Sequence, residues 1–317
     1  MRGRIGHLSR SILLLFAFVT GLSLLFTQSG CQSTSDEPMS IGAQAPPSPH
    51  SSEGRSESNP LAVNFRSRTS LPTGPPPSIS ARAAILIDGS GRVLFEKNAD
   101  ARMPVASTQK LLLGIMIAER GGLNGTITIQ DPDTWAEPTK MGIKTGETYT
   151  RSELLRAVLI RSSNDIARAL ARDHSGSVSN FAANMNRRAR SLGMHNSYFT
   201  NASGLPTPPG QYSTARDLSK LGKAALRNST VRDIIRTKGM VFRFPSGRTT
   251  SISNTNQVLL KFPYCTGAKT GYTNAAGRCL VSSGSYNGRN VVAVILGSTS
   301  PTVWRESEAL LRYGLGM

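Results

Sequence analysis

Apolar residues in this chain follow two different periods, a β-like one near both ends of the folded part and a helical one between them. Two apolar runs at 83–88 and 93–96 flank a Gly-Ser-Gly link, which predicts a β-hairpin. Short turns favour antiparallel pairing of later strands. These later strands are predicted at 240–244, 249–253, 265–271, 277–283 and 291–297.

The middle of the chain has the spacing of helices. Residues 107–119 are apolar almost all round, which predicts a buried helix. The other predicted helices are 152–160, 165–172, 179–192, 214–227 and, after the strands, 302–313. We therefore predict a mixed α/β (α+β) fold, with an antiparallel five-stranded sheet flanked by helices and an inserted all-helical lobe.

The N-terminus is typical of an export signal. Three early arginines precede a run at 12–26, which is shorter than the roughly 20 residues needed to cross a bilayer as a helix. Residues 1–30 are predicted to be a signal peptide or N-terminal anchor. Small residues precede Cys31, which is either lipidated or simply exported with the rest of the chain. Each alternative places the chain in the periplasm or cell envelope.

Residues 31–77 are rich in serine, proline and glycine, a composition that cannot bury enough apolar surface to fold. We expect them to form a disordered tether and residues 78–317 to form one catalytic domain. The formal net charge is +18, but lysine and arginine are scattered without a basic tract. This distribution argues against nucleic-acid binding. Four separated histidines and the absence of a CxxC motif predict no metal site, and no cofactor is expected.

A serine and a lysine three residues apart begin the buried helix. Ser107 and Lys110 share a helix face. Desolvation would lower the pKa of a buried lysine, so that Lys110 would take the serine proton at neutral pH. The alternative is that Ser107 only caps the helix N-terminus and that the side chain of Lys110 extends to solvent.

Two further elements make this pair more specific. Ser162 and Asn164 lie between two predicted helices, in position to pass a proton and to hold a substrate amide. Lys269 and Thr270 lie on a predicted strand and would hold a terminal carboxylate, while Gly271 leaves room for substrate. A second Lys-Thr-Gly at 144–146 is interpreted as coincidence, because it lies in a loop before the Ser-x-Asn element.

The three elements in this order resemble those of penicillin-binding proteins and serine β-lactamases. The chain resembles the low-molecular-mass penicillin-binding D-Ala-D-Ala carboxypeptidases in particular, from about residue 83 to 311. The matching stretches are 102–107, 162–165, 201–206, 212–218 and 267–273. The resemblance implies the transpeptidase-like fold of β-lactamases and penicillin-binding proteins.

It also implies removal of the last D-alanine from peptidoglycan stem pentapeptides through an acyl-enzyme, with covalent inhibition by β-lactams such as penicillin. The implied roles are Ser107 as nucleophile, Lys110 as base, Ser162 and Asn164 as a second wall, Lys269 and Thr270 as carboxylate anchor, and the backbone N–H groups of Ser107 and Tyr272 as oxyanion hole. Many members carry a further β-rich domain and a C-terminal anchor, for which we expect no counterpart after the last predicted helix. Membrane attachment is therefore expected through the N-terminal segment or a lipid on Cys31.

Three alternatives stay open from the residues. A D,D-endopeptidase of the same family would share all the elements, and the stretch at 162–165 favours a carboxypeptidase only mildly. A class A β-lactamase needs a Glu-x-x-Leu-Asn element, which we do not find after residue 164. The third alternative is an inactive wall-binding lipoprotein. Such a protein would not need catalytic residues, and every catalytic position is filled in this sequence. Cys265 and Cys279 either face each other and oxidise, or pack as two buried thiols.

Overall fold

A computed structural model of the chain describes residues 72–317. The predicted signal segment, Cys31 and the tether up to residue 71 lie outside the described residues. Residues 72–77, the last of the predicted tether, contain neither helix nor strand. Among residues 72–317, no helix is both long and apolar enough to cross a membrane.

Nine strands and eight α-helices make up the described part of the chain. In chain order they are β1 (Ala83–Asp88), β2 (Val93–Lys97), α1 (Lys110–Arg120), β3 (Thr126–Thr128), β4 (Thr148–Thr150), α2 (Arg151–Arg161), α3 (Asn164–Ser175), α4 (Val178–Ser191), α5 (Ala215–Arg227), α6 (Ser229–Ile235), β5 (Gly239–Arg243), β6 (Thr249–Ser253), α7 (Gln257–Lys261), β7 (Cys265–Thr273), β8 (Gly277–Tyr286), β9 (Arg289–Ser298) and α8 (Thr302–Leu315).

The main sheet has five antiparallel strands, as predicted. Their order is β2-β1-β9-β8-β7. Side chains of β1 alternate between two apolar cores. Ala83, Ile85 and Ile87 pack with the helices of the inserted region, whereas Ala84 and Leu86 pack with α7 and α8. The sheet is therefore covered by helices on both faces, which explains the long apolar runs in β1 and β9.

The inserted region is not all-helical, in contrast to the prediction of an all-helical lobe. The three-residue strands β3 and β4 pair within it, Ile127 lying opposite Tyr149. The predicted strands at 240–244 and 249–253 form a separate two-stranded sheet, β5–β6, rather than joining the main one. Strands of three residues are too short to show a period of two in the sequence, so β3 and β4 were missed. Helices α6 and α7 were also missed, each only one or two turns long.

Three parts of this fold meet around one cleft. They are the turn before α1, the junction between α2 and α3, and β7, which lies at one end of the five-stranded sheet. Both cysteines in the described range are free and buried. Cys265 pairs with Gly284 and Cys279 with Gly271, so the two cysteines do not face each other. The interpretation as two buried thiols is confirmed.

Candidate active site

Ser107 lies in a 3₁₀ turn, Ala106–Gln109, and α1 begins only at Lys110. The prediction that Ser107 opens the α-helix itself is corrected by this short turn. Ala106 has a φ of 49°, in the left-handed region that L residues rarely adopt. The hydroxyl of Thr108 donates to the Val105 carbonyl at 2.8 Å and helps to hold the turn. The half-buried Ser107 hydroxyl is therefore presented by a constrained backbone.

Lys110 is completely buried directly beneath this hydroxyl. Its Nζ atom lies 2.8 Å from Ser107 Oγ, 2.7 Å from Asn164 Oδ1 and 2.6 Å from the Ser203 carbonyl oxygen. The last two atoms can only accept hydrogen bonds. A neutral amine that donates its two hydrogens to them directs its lone pair at Ser107 Oγ. The contacts of Lys110 thus match those of a base for the serine proton.

The orientation of the Asn164 amide supports this arrangement. Its Nδ2 atom donates to the Pro138 carbonyl, which leaves Oδ1 directed at Lys110. The backbone N–H of Asn164 donates to the Thr139 carbonyl at 2.8 Å. The neighbouring Asp165, also buried, accepts the backbone N–H groups of the Met141–Gly142 segment. The start of α3 is therefore locked to the loop at 138–142, and Asn164 is held in place.

Burial changes the protonation of both site lysines. Desolvation lowers the pKa of Lys110 well below its ordinary value, and the nearby charge of Lys269 lowers that pKa further. Asp165 opposes this shift to a smaller extent. Desolvation also lowers the pKa of Lys269 to about 7. Both shifts favour the neutral amine, the form of Lys110 that can accept a proton.

Lys269 and Ser162 form a second buried pair. Lys269 Nζ donates to Ser162 Oγ at 2.8 Å and to the Thr270 carbonyl at 3.1 Å. Ser162 has a φ of 70° and ends α2, and this conformation holds it between α2 and α3. The Thr270 hydroxyl lies 2.7 Å from that of Thr255. This network joins β7 to the α2–α3 junction across the cleft.

Gly271 is required by the close approach of β7 to the Ser107 turn. A Cβ atom there would lie 2.9 Å from both the Ser107 nitrogen and the Val105 carbonyl oxygen, closer than side chains pack. Tyr272 follows and is half exposed, with its hydroxyl bonded to Asn274. The backbone of this part of β7 therefore lies directly beside the serine.

The loop at 201–204 lies within a stretch that matches the family, but its role in the site is not evident from the sequence. The Ser203 carbonyl oxygen accepts from Lys110 Nζ at 2.6 Å and lies 3.1 Å from Ser107 Oγ. The Asn201 side chain holds the loop, because its Oδ1 atom accepts the N–H groups of Ser203 at 2.9 Å and Gly204 at 2.8 Å. The signal available in the sequence was an Asn two residues before a Ser-Gly pair, a pattern typical of an Asx turn.

All eight predicted site residues lie in one region. Ser107, Ser162, Thr270, Gly271 and Tyr272 line a cleft of about 520 Å³. Lys110, Asn164 and Lys269 lie behind its wall and bond to those residues or to one another. The second Lys-Thr-Gly, at 144–146, lies in a loop and turn before β4 and is absent from the lining, as the sequence predicted.

Comparison with known proteins identifies the family of the chain. The family model for D-alanyl-D-alanine carboxypeptidases, peptidase S11, matches residues 70–300. The chain belongs to this family. It is 34% identical over 253 residues to the D-alanyl-D-alanine carboxypeptidase DacB2 of Mycobacterium tuberculosis, a match covering 78% of this chain and 84% of that one. A D-alanyl-D-alanine endopeptidase of Escherichia coli is 29% identical over 71% of this chain and 73% of its own.

The S11 fold is shared with solved structures. The crystal structure of a D-alanyl-D-alanine carboxypeptidase from M. tuberculosis matches with a TM-score of 0.74 and 33% identity, over 78% of this chain and 96% of that one. Several longer S11 relatives are matched over only 58–62% of their length. The family and the fold inferred from the sequence are confirmed, and as an S11 peptidase the protein is a hydrolase.

Proposed function

We propose that this protein is a serine-type D-Ala-D-Ala carboxypeptidase that removes the terminal D-alanine of peptidoglycan stem pentapeptides through an acyl-enzyme on Ser107. The observation that carries the proposal is the 2.8 Å contact between Ser107 Oγ and the fully buried Lys110 Nζ, whose pKa is lowered. A serine beside a neutral amine is an activated nucleophile.

In the acylation step, Ser107 Oγ attacks the carbonyl carbon of the D-Ala-D-Ala bond while its proton passes to Lys110 Nζ. The negative charge then develops on the carbonyl oxygen. Backbone N–H groups of Ser107 and Tyr272 stabilise this oxygen, and each such donor is worth about 10²–10³ in rate in other enzymes. The closeness of β7 to the Ser107 turn, which Gly271 permits, supports this pairing of donors.

The leaving amine of D-alanine must gain a proton as the C–N bond breaks. Ser162 Oγ donates it and is recharged from Lys269 Nζ, which lies 2.8 Å away. The pKa of Lys269, lowered to about 7, suits this exchange near neutral pH. Before deacylation, the proton that Lys110 took from Ser107 must be transferred to Lys269, so that both amines regain their starting protonation. In deacylation, neutral Lys110 takes a proton from water as this water attacks the ester carbonyl carbon. Lys110 then returns the proton to Ser107 Oγ as the shortened peptide leaves.

Substrate placement follows from the same cleft. Asn164 holds the amide of the peptide and Thr270 contacts its terminal carboxylate, with Lys269 behind it. A β-lactam ring presents a reactive amide carbonyl and a carboxylate in a similar relation, so we expect penicillin to acylate Ser107 and to leave slowly.

We propose a location outside the cytoplasm, in the periplasm or cell envelope. Three arginines before an apolar run support a signal or anchor over residues 1–30, and Cys31 is a candidate for lipidation. Residues 31–77 would be a tether that lets the catalytic domain, 78–317, reach the wall. Attachment to the membrane would be through this N-terminal part.

D,D-endopeptidase activity is a second candidate, supported by the similarity to the E. coli endopeptidase. Both reactions use the same acyl-enzyme chemistry and differ in the group that leaves. A carboxypeptidase releases a free D-alanine, whereas an endopeptidase releases a second stem peptide, whose side-chain amine had formed the crosslink. The distinction therefore requires a substrate assay.

The test uses wild type and Ser107→Ala with a fluorescent penicillin and with two substrates, a stem pentapeptide and a crosslinked muropeptide dimer. Wild type should be labelled stoichiometrically and release D-alanine from the pentapeptide, and Ser107→Ala should do neither. Faster cleavage of the dimer would favour the endopeptidase. Rapid turnover of penicillin would indicate a β-lactamase, and absence of labelling would contradict the acyl-enzyme.

A further inference from the structure

A small cavity lies away from the catalytic cleft, between the end of α5, helix α6 and the start of β7. It has a volume of about 190 Å³ and shares no lining residue with the catalytic cleft. Thr266, in its lining, precedes Thr270 of the catalytic element by four residues, or about 13 Å along an extended strand. The cavity is therefore a separate site. Its lining includes Leu226, Arg232, Arg236, Thr266, Ser285 and Asn290.

One donor at this cavity is buried without a hydrogen-bond acceptor. The Nε–H group of Arg232 is shielded from solvent, and no acceptor lies within hydrogen-bonding reach of it among residues 72–317. The carboxylate of the exposed Asp233 lies 3.6 Å from this nitrogen, which is beyond hydrogen-bond length. A charged donor that is buried and unpaired is costly. The cavity therefore favours a ligand that places an acceptor atom beside Arg232.

The surroundings of Arg232 carry an excess of positive charge. Arg236 ends α6, and its guanidinium has neither an ion pair nor a hydrogen bond within the part of the chain that the structure describes. No acidic residue in that part of the chain lines the cavity. Two guanidinium charges against the single carboxylate of Asp233 leave one positive charge, which a monoanion would neutralise. Ser285 lies opposite Asn290 in the β8–β9 ladder, and both side chains can donate further hydrogen bonds.

The size and the walls of the cavity narrow the class of anion. A volume of about 190 Å³ has room for about six water-sized groups. Leu226, only 6% exposed, forms part of the wall and offers no polar atom from its side chain. Burying an oxygen atom against such a wall costs free energy, whereas burying a methyl group is favourable. A carboxylate attached to a small branched apolar group suits this cavity better than inorganic phosphate, which has oxygen atoms on every side.

We propose that this cavity is a binding site for a small organic carboxylate with a compact apolar body. The carboxylate oxygens accept hydrogen bonds from Arg232 Nε and from the Arg236 guanidinium, whose planar N–H donors match a carboxylate. The apolar body packs against Leu226. Because Arg232 lies on α6 and Ser285 on β8, the ligand joins α6 to the main sheet. The site is independent of the proposed peptidase reaction.

The probe for this site is isobutyrate, an anion of six non-hydrogen atoms. It is compared at constant ionic strength with isobutyramide, its neutral isostere, and with inorganic phosphate. A ligand of this size is expected to bind with a Kd of about 1 mM. At about 20 mM, isobutyrate should therefore raise the Tm of wild type by about 4–7 °C. Isobutyramide should leave the Tm unchanged, and phosphate should raise it less than isobutyrate does.

Four variants locate the binding site. Arg232→Gln and Arg236→Gln should each raise the Kd of isobutyrate about 10-fold or more, as expected for loss of a hydrogen bond to a charged group. The matched controls are Arg243→Gln, at an exposed position on β5, and Arg161→Gln, in the lining of the catalytic cleft. Both controls should keep the Kd within about twofold of wild type. The Tm of each variant without ligand is its own reference.

Heteronuclear NMR of the arginine Nε–H groups gives a direct readout. The Arg232 signal is assigned by its disappearance in Arg232→Gln, and it should shift on titration of wild type with isobutyrate. Absence of any rise in Tm, or a stationary Arg232 signal, would overturn the site. An equal rise with phosphate would overturn the assignment to an organic carboxylate. A loss of binding in Arg161→Gln equal to that in Arg232→Gln would place the ligand in the catalytic cleft and overturn the inference.

Discussion

Replacing Gly204 with alanine should disable the site from a position that touches no substrate. Gly204 has a φ of 88°, and a Cβ atom there would lie 2.7 Å from the Ser107 nitrogen and closer still to the Ala106 carbonyl group. The nearest atom, the Ala106 carbonyl oxygen, would lie 2.1 Å from this Cβ atom, and ordinary contact begins near 3.4 Å, so the loop and the Ser107 turn must separate by about 1.3 Å. Displacements approaching 1 Å cost about 10²-fold in rate when catalytic groups lose their alignment.

The separation would move the Ser203 carbonyl away from Ser107 and Lys110. Gly210 offers a matched control, because its φ is 93° and a Cβ atom there meets nothing within 4 Å. Both alanine variants share the cost of a left-handed conformation, about 1–2 kcal/mol. This corresponds to a loss of about 2–8 °C in Tm for a domain of this size. Only Gly204→Ala also forces the active site apart.

The assay is the second-order rate constant for acylation by a fluorescent penicillin, measured with the Tm of each variant. We expect the acylation rate constant of Gly204→Ala to be about 100-fold below that of wild type. The rate constant of Gly210→Ala should stay within about twofold of wild type. Acylation by folded Gly204→Ala within threefold of wild type would refute the reasoning. An equal fall in Gly210→Ala would show that backbone strain, and not contact with the Ser107 turn, is the cause.

Three further predictions follow from the site and the core. The acylation rate should rise with pH through a pKa well below 10.5, because protonated Lys110 cannot accept the serine proton and activity is lost at lower pH. A pH–rate profile that rises only near pH 10.5 would contradict this prediction. Asn201→Ala should destabilise the domain by about 2–4 kcal/mol in urea denaturation, since it leaves several buried N–H and carbonyl groups unpaired; an unchanged midpoint would count against it. In a Cys31→Ser variant, a thiol reagent should find no reactive group natively and two after denaturation without reductant, from Cys265 and Cys279; detection of a disulfide would disprove this.

Much of the fold could be predicted because its signals are local. The runs that became β1 and β9 are apolar for most of their length, and the short turns between the strands favour antiparallel neighbours. The spacing of Ser107 and Lys110 likewise indicated that both lie on one side of a buried segment. Short elements were lost, because three residues do not define a period. The strands β3 and β4 and the helix α7 are examples.

The amino-acid sequence alone determined the family, the three catalytic elements and most strands of the main sheet, since each depends on residues close together in the chain. Tertiary structure decided which groups Lys110 contacts. Its partners Asn164 and Ser203 lie 54 and 93 residues away. Tertiary structure also buried Lys269 and left Arg161 exposed in the cleft, a difference that two basic side chains do not reveal in a sequence. Desolvation and hydrogen-bond partners are properties of packed neighbours, and only the folded chain defines those neighbours.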